Sequence, residues 1–259
     1  AVKIHGIEDD VARGFDERAA ELGAMSYSLA IRRHLQQMVQ ETASYASFAV
    51  LCGVAAWRYL DGHIGAGEIA ACLTAFVGLT TAIFSRPYMR VEQDHGKMTP
   101  RRMRLYHSMY QLFSFTMLVG LTTNNLGIIW VAMEAATLTT VLLVSVYRTS
   151  ASLEAAWKYF ILCGVGIAQA LFGTVLLYMA ADKVLGPEHA TLLWTSLNDI
   201  KGQLDPTIVT LAFVFLLIGY GTKIGLVPLH SWLPDAHAEG PTPVSAVLSG
   251  LLLNVAMYA

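Results

Sequence analysis

The chain has 259 residues, 55% hydrophobic and 14% charged, with a net charge of −2 and a mean hydropathy of +0.50. An ordinary soluble domain is about 25% charged, and most of the helical stretches here lack the polar face that a soluble helix needs. The charge balance gives no footing to a nucleic-acid partner. The three cysteines, Cys52, Cys72 and Cys163, form no CxxC pair and offer no cluster for a disulfide framework, zinc, an iron–sulfur cluster or a nickel–iron centre.

Residues 1–43 are polar and mixed in sign, as in Glu8, Asp9 and Asp10 or Asp16, Glu17 and Arg18. They read as a peripheral segment without nameable chemistry, and no signal peptide precedes the first span. Residues 44–104 read as leading membrane helices with a basic loop, and residues 105–259 as one helical bundle. The candidate spans are 44–60, 66–85, 105–123, 125–147, 155–181, 207–227 and 243–259, all helical by length and continuity. The alternating strands of a membrane barrel are absent. The first two spans are the weakest, with Arg58 and Glu68 near their ends. The expected fold is an all-α, polytopic transmembrane helical bundle. The run Val244–Ala259 falls short of the roughly 20 residues that a span needs, so the sequence reads as cut off inside a helix of a larger protein.

The stretch 86–106 holds Arg86, Arg90, Lys97, Arg101, Arg102 and Arg104 against Glu92 and Asp94. The positive-inside rule makes this loop cytoplasmic. Alternation then puts the turn Thr122–Asn125 and the loop 182–206 outside, and the segment after Lys223 inside.

Three charges interrupt the spans. Glu134 lies roughly 12 Å into its helix at 1.5 Å per residue, near mid-membrane. An ionised residue there costs about 2.5–3.5 kcal/mol on insertion scales, so it needs a partner or water, and such residues are functional by default. Lys223 stands next to a predicted helix break. Pro228 cannot donate to the Ile224 carbonyl and its ring clashes there, while Gly225 loosens the same turn. Broken backbone inside a membrane is tolerated where it lines a cavity. Lys158, at the start of its span, reads from spacing alone more as a snorkelling anchor.

After Pro228 come His230, Pro234, Asp235, His237, Glu239, Gly240, Pro241 and Pro243. Four prolines, Pro228 among them, and a glycine rule out a regular helix throughout, which predicts a polar re-entrant loop. His230 and His237 suit a proton entrance, since an unperturbed histidine titrates near pH 6.5. No recognised metal-ligand spacing is present. The residues thus describe a charge or proton pathway through a bundle with one broken helix.

The run KIGLVPLHSWLPDAHAEGPTPVSA (residues 223–246) resembles the broken-helix signature of the antiporter-like subunits found in respiratory complex I, in Mrp-type sodium/proton antiporters and in membrane-bound hydrogenases. SRPYMR (85–90), RLYHSMYQLF (104–113) and WKYFILCGVGIAQ (157–169) resemble the F-type branch of hydrogenase-4, so the likeness covers about residues 66–259. The resemblance implies two inverted five-helix repeats, each with a broken helix, of which residues 105–259 match the first. It implies that Glu134 is the essential glutamate, Lys223 the lysine of the broken helix, and Lys158 a lysine of the intervening helix. Where the family places a further lysine or histidine, this chain has Ser249 and Asn254, neither of which titrates. An onward path there would need ordered water.

The resemblance implies a proton-translocating membrane subunit of an oxidoreductase complex, of the hydrogenase-4, formate hydrogenlyase or NADH-quinone oxidoreductase type, in a bacterial inner membrane. An ionised Glu134 near Lys223 favours its protonated form, which makes the pair a gate. No cofactor is expected in this chain. Its partners would be other membrane subunits, peripheral hydrogenase or dehydrogenase subunits, protons and the lipid bilayer. The alternatives are a non-pumping membrane scaffold and a sodium/proton antiporter subunit.

Overall fold

The computed structural model describes residues 66–186 and 191–259, together with Ile31. The chain divides into two compact units, Ala1–Trp57 and Arg58–Ala259. Apart from Ile31, the polar segment 1–43 lies outside the described residues, as do the candidate span 44–60 and Cys52.

Among the described residues the unit is helical, and its β structure is one isolated bridge between Asn125 and Leu193. Helix α1 runs Ala66–Asp94 and α2 runs Pro100–Thr122. Helix α3, Leu126–Val144, ends in a 3-10 turn, Ser145–Tyr147. Helix α4 covers Ser150–Leu185, α5 is the short Trp194–Ile200, and α6 is Pro206–Ile224. Helix α7 is Trp232–Glu239. The last rod is α8, Thr242–Val247, a π turn over Leu248–Leu252, and α9, Leu253–Tyr258.

The helix starts follow capping chemistry. Thr99, Asn125, Thr149 and Asp205 each accept backbone N–H bonds from the first turn of α2, α3, α4 and α6. Pro100 and Pro206 occupy the first helical positions, where no N–H is needed.

Two local expectations fail. The basic stretch 86–106 is helical except around residues 95–99, because α1 continues through Pro87 to Asp94. One interior proline removes one hydrogen bond, and the surrounding turns carry the helix past it. The segment after Pro228 is likewise not a loop throughout. Pro234 falls in the first turn of α7, where its missing N–H is harmless, so Trp232–Glu239 forms two turns of helix.

Among the described residues, four stretches are long and apolar enough to cross a membrane: Gly67–Asp94, Leu126–Tyr147, Ser150–Leu185 and Pro206–Ile224. Their outward side chains are apolar, as with Val131, Trp157, Ile161, Val165 and Phe213. Thr137, Thr140, Thr174, Thr222 and Lys223 are buried inside. Apolar outside and polar within is the arrangement for lipid as solvent, and the chain is a multi-pass membrane protein.

The two ends of the bundle are tied separately. At one end Leu126 N–H donates to the Leu192 carbonyl at 3.0 Å, Trp194 N–H to the Asn124 carbonyl at 2.8 Å, and Asn124 Nδ2 to Thr195 Oγ1 at 2.9 Å. At the other end Arg102 Nη1 donates to the Tyr147 carbonyl at 3.3 Å, and Thr242 Oγ1 to the Tyr88 hydroxyl at 3.2 Å. The turn 122–125 therefore shares an end with the 191–206 connection, and the basic connection after α1 shares the other with α7.

Candidate functional site

The site forms where α6 stops against α4. Small residues let the two helices touch. A Cβ on Gly219 would lie 2.6 Å from the Ala170 Cβ, one on Gly173 would lie 2.9 Å from the Ala212 carbonyl, and one on Gly166 would lie 2.7 Å from the Thr222 Cβ. This contact carries the last turn of α6, with Lys223, into the interior.

Helix α6 ends at Ile224, followed by Gly225 at φ +81°. Leu226 N–H donates to the Gly221 carbonyl at 2.9 Å and Gly225 N–H to the Thr222 carbonyl at 3.3 Å. This pair of bonds is a Schellman stop, which needs glycine in the left-handed region. Pro228, with a cis peptide before it, prevents the helix from resuming. The Trp232 indole N–H returns from α7 to the Thr222 carbonyl at 2.9 Å, so a backbone oxygen at the break is satisfied by a side chain.

Lys223 is 0% exposed. Its ammonium donates to the Tyr159 hydroxyl at 2.8 Å, and Nζ lies 4.8 Å from the centroid of the same ring. The Trp232 ring packs on Tyr159 with centroids 4.9 Å apart. Glu134, in the middle of α3, interacts electrostatically with Lys223, as does Cys163 on α4. Glu134 forms no ion pair with Lys223: the lysine bond goes to Tyr159. Oε2 of Glu134 is buried without a hydrogen-bond donor among the described residues, and so is Oε1 of Gln169.

Lys158 sits one residue before Tyr159 yet faces elsewhere. Its ammonium pairs with Glu154 at 2.8 Å and with Asp235 of α7 at 2.9 Å, with its side chain 48% exposed. Together with Glu239 these groups line a shallow pocket of about 130 Å³ at the α7 end. His230 is exposed. His237 is half-buried, its carbonyl accepts from Ser245 Oγ at 2.6 Å, and burial holds its imidazole below the ordinary histidine range.

Ser249 and Asn254 lie on the exposed side of the last rod. Ser249 Oγ donates to the Ser245 and Ala246 carbonyls, and Asn254 Nδ2 donates to the Gly250 carbonyl at 2.8 Å. Ser249 falls within the π turn, an irregularity often found at functional sites.

The structure therefore brings Glu134 and Lys223 into one interior cluster and sets Lys158 and Asp235 at its rim. Ser249 and Asn254 stand apart from it. Sequence reasoning missed Tyr159, Trp232 and the threonines Thr137 and Thr140, whose side chains lie within hydrogen-bonding reach of the Tyr159 hydroxyl. The available signal for Tyr159 was its place beside Lys158 in an otherwise apolar helix. An aromatic there reads as ordinary core until the partner lysine is known.

Residues 123–259 match the family described as NADH:quinone oxidoreductase/Mrp antiporter, TM. A hydrogenase-4 component F homolog from Methylacidiphilum infernorum (isolate V4) is 59% identical over 187 residues, covering 72% of this chain and 39% of that protein. The fold resembles a chain of the membrane-bound sulfane sulfur reductase, an archaeal respiratory membrane complex, with a TM-score of 0.61 at 23% identity over 73% of this chain and 35% of that one. It also resembles a chain of respiratory complex I from Thermus thermophilus with bound aureothin, with a TM-score of 0.55 at 25% identity over 73% of this chain and 38% of that one. The chain spans about two fifths of the length of the curated relative it matches.

Proposed function

The chain belongs to the NADH:quinone oxidoreductase/Mrp antiporter transmembrane family, and from that premise we propose that it is a proton-translocating membrane subunit of a respiratory-type oxidoreductase complex. The observation that carries this reading is a fully buried lysine at a broken helix, held by a tyrosine hydroxyl and electrostatically coupled to an intramembrane glutamate. Ionisable groups are costly inside lipid and persist there for transport or energy coupling.

The proton enters at the basic end of the bundle, past His230, His237 and the Lys158–Asp235 pair. Lys223 takes it up and passes it inward. Glu134 responds to charge movement in a neighbouring subunit and, through its field, sets how tightly Lys223 holds its proton. Tyr159 keeps the ammonium in place between these events. The onward step runs by way of Ser249 and Asn254, where water carries the proton that neither side chain can hold. The complex is of the hydrogenase-4 or NADH-quinone oxidoreductase type, with peripheral hydrogenase or dehydrogenase subunits carrying the redox centres, in a bacterial inner membrane with the basic end cytoplasmic.

A second reading is a scaffold that anchors the oxidoreductase without pumping. The bond from Asn254 back to its own helix favours it, because a non-titrating side chain closed on the backbone interrupts a relay. Redox-driven proton uptake into inverted membrane vesicles separates the two. Uptake abolished by a protonophore and unaffected by a sodium ionophore, and lost in Glu134→Gln with electron transfer retained, supports the proton path. Uptake identical in wild type and Glu134→Gln favours the scaffold.

A further inference from the structure

A cavity of about 600 Å³ lies away from Lys223, between α1 and α2. Its walls are two facing helical stripes. Helix α1 contributes Leu79, Ile83, Arg86 and Arg90, spaced three or four residues apart and so on one face. Helix α2 contributes His107 and Gln111, one turn apart. Arg86 and His107 are close enough to interact electrostatically. Among the ion pairs of the described residues, neither Arg86 nor Arg90 takes part.

The cavity is graded along its length. Its guanidinium and imidazole end adjoins the basic connection after α1. Its other end continues into a second cavity of about 180 Å³ that shares Leu79, Ala82, Tyr110 and Gln111 and runs on to Thr74 and Leu118. The mouth opens on a lipid-facing surface, where Leu79 is 63% and Ile83 57% exposed. A free anion would use only the basic end. A charged head joined to an apolar tail matches both ends at once.

We propose that this groove is a binding site for an anionic phospholipid, with the phosphate at Arg86, Arg90 and His107 and one acyl chain along Leu79, Ile83 and the smaller cavity. Basic pockets between transmembrane helices at the positively charged face recognise such headgroups, and juxtamembrane Lys and Arg strengthen binding to them. The inference depends on the membrane fold and not on the proton path, so the two fail separately.

The test uses the intact complex, purified in detergent and washed until bulk lipid is gone. Retained phosphatidylglycerol and phosphatidylethanolamine are then quantified by mass spectrometry. Wild type should retain phosphatidylglycerol. The double variant Arg86→Gln/Arg90→Gln should retain it about 30-fold less tightly, the worth of two basic side chains at an anionic headgroup, with phosphatidylethanolamine unchanged. The charge-preserving Arg86→Lys/Arg90→Lys should keep most of the lipid, and unchanged electron-transfer activity in both variants confirms that each complex is folded. Equal phosphatidylglycerol retention in wild type and the Gln variant overturns the proposal, as does a wild type that retains none. Inorganic phosphate in the wash should leave retention unchanged. Displacement of the lipid by phosphate alone would mean that the groove reads a free anion, and would also overturn it.

Discussion

The Lys223 ammonium donates to the Tyr159 hydroxyl at 2.8 Å, across the contact between α6 and α4. The buried lysine is thus held by a neutral phenol, and among the described residues no ion pair joins it to Glu134. Tyr159→Phe keeps the ring, its packing on Trp232 and the volume of the site, and removes only the hydroxyl. A hydrogen bond to a charged group is worth about 1.5–3 kcal/mol, so the variant should lower protons pumped per electron several-fold while electron transfer persists. Pumping and redox rates measured in the same vesicles check this. An unchanged ratio would leave Tyr159 a packing residue.

Gly219→Ala should destabilise the complex by about 1–3 kcal/mol, the usual cost of overpacking. Its new methyl would meet the Ala170 Cβ and nitrogen at 2.6 Å and the Gly166 carbonyl at 2.7 Å. Gly164→Ala, elsewhere on α4 and with nothing within 4 Å of the added Cβ, should not destabilise. Thermal denaturation of both purified variants gives the comparison, and equal melting temperatures would contradict the close packing of α4 on α6.

How far the sequence reaches is clear from these residues. Glu134 and Lys223 stand out because lipid makes any charge within an apolar run conspicuous. The stop at Gly225 is legible because glycine and a following proline have few other uses there. Tyr159 is not legible, since its role exists only once Gly166, Ala170 and Gly173 bring α6 alongside. Proline misleads in the segment after Pro228: Pro234 counts there against a helix, yet it falls in the first turn of α7, where no N–H is required. That Lys223 bonds to Tyr159 and not to Glu134 is also out of reach, because distance in space cannot be read from two charges on different helices.

Lys158→Met should reduce the rate of proton uptake by a few-fold and leave the melting temperature nearly unchanged. Its pairs with Glu154 and Asp235 are half-exposed, and exposed ion pairs contribute little stability. Asp235→Asn should mimic it, and the double variant should be no worse than either single one, since both remove the same contact. Additive losses of uptake in the double variant would show that the two side chains act separately.

His237 supplies a pH signature. Burial lowers its pKa in the folded chain, so below about pH 6.5, the unperturbed value, the unfolded chain binds the proton more readily. Stability gained from the neutral imidazole is therefore full above that pH and is lost as pH falls through the lowered folded value. His237→Gln should flatten the fall in melting temperature between neutral and mildly acidic buffer. A variant with the same slope as wild type would contradict the assignment.

The most direct test of the proton path is the number of protons taken up per electron transferred, measured in inverted vesicles carrying the intact complex with Lys223→Ala. The account predicts continued electron transfer, normal assembly and a proton-to-electron ratio reduced by the whole share that passes through this subunit. An unchanged ratio in an assembled, redox-active Lys223→Ala complex would contradict it, because no proton route through this bundle could then depend on its buried lysine.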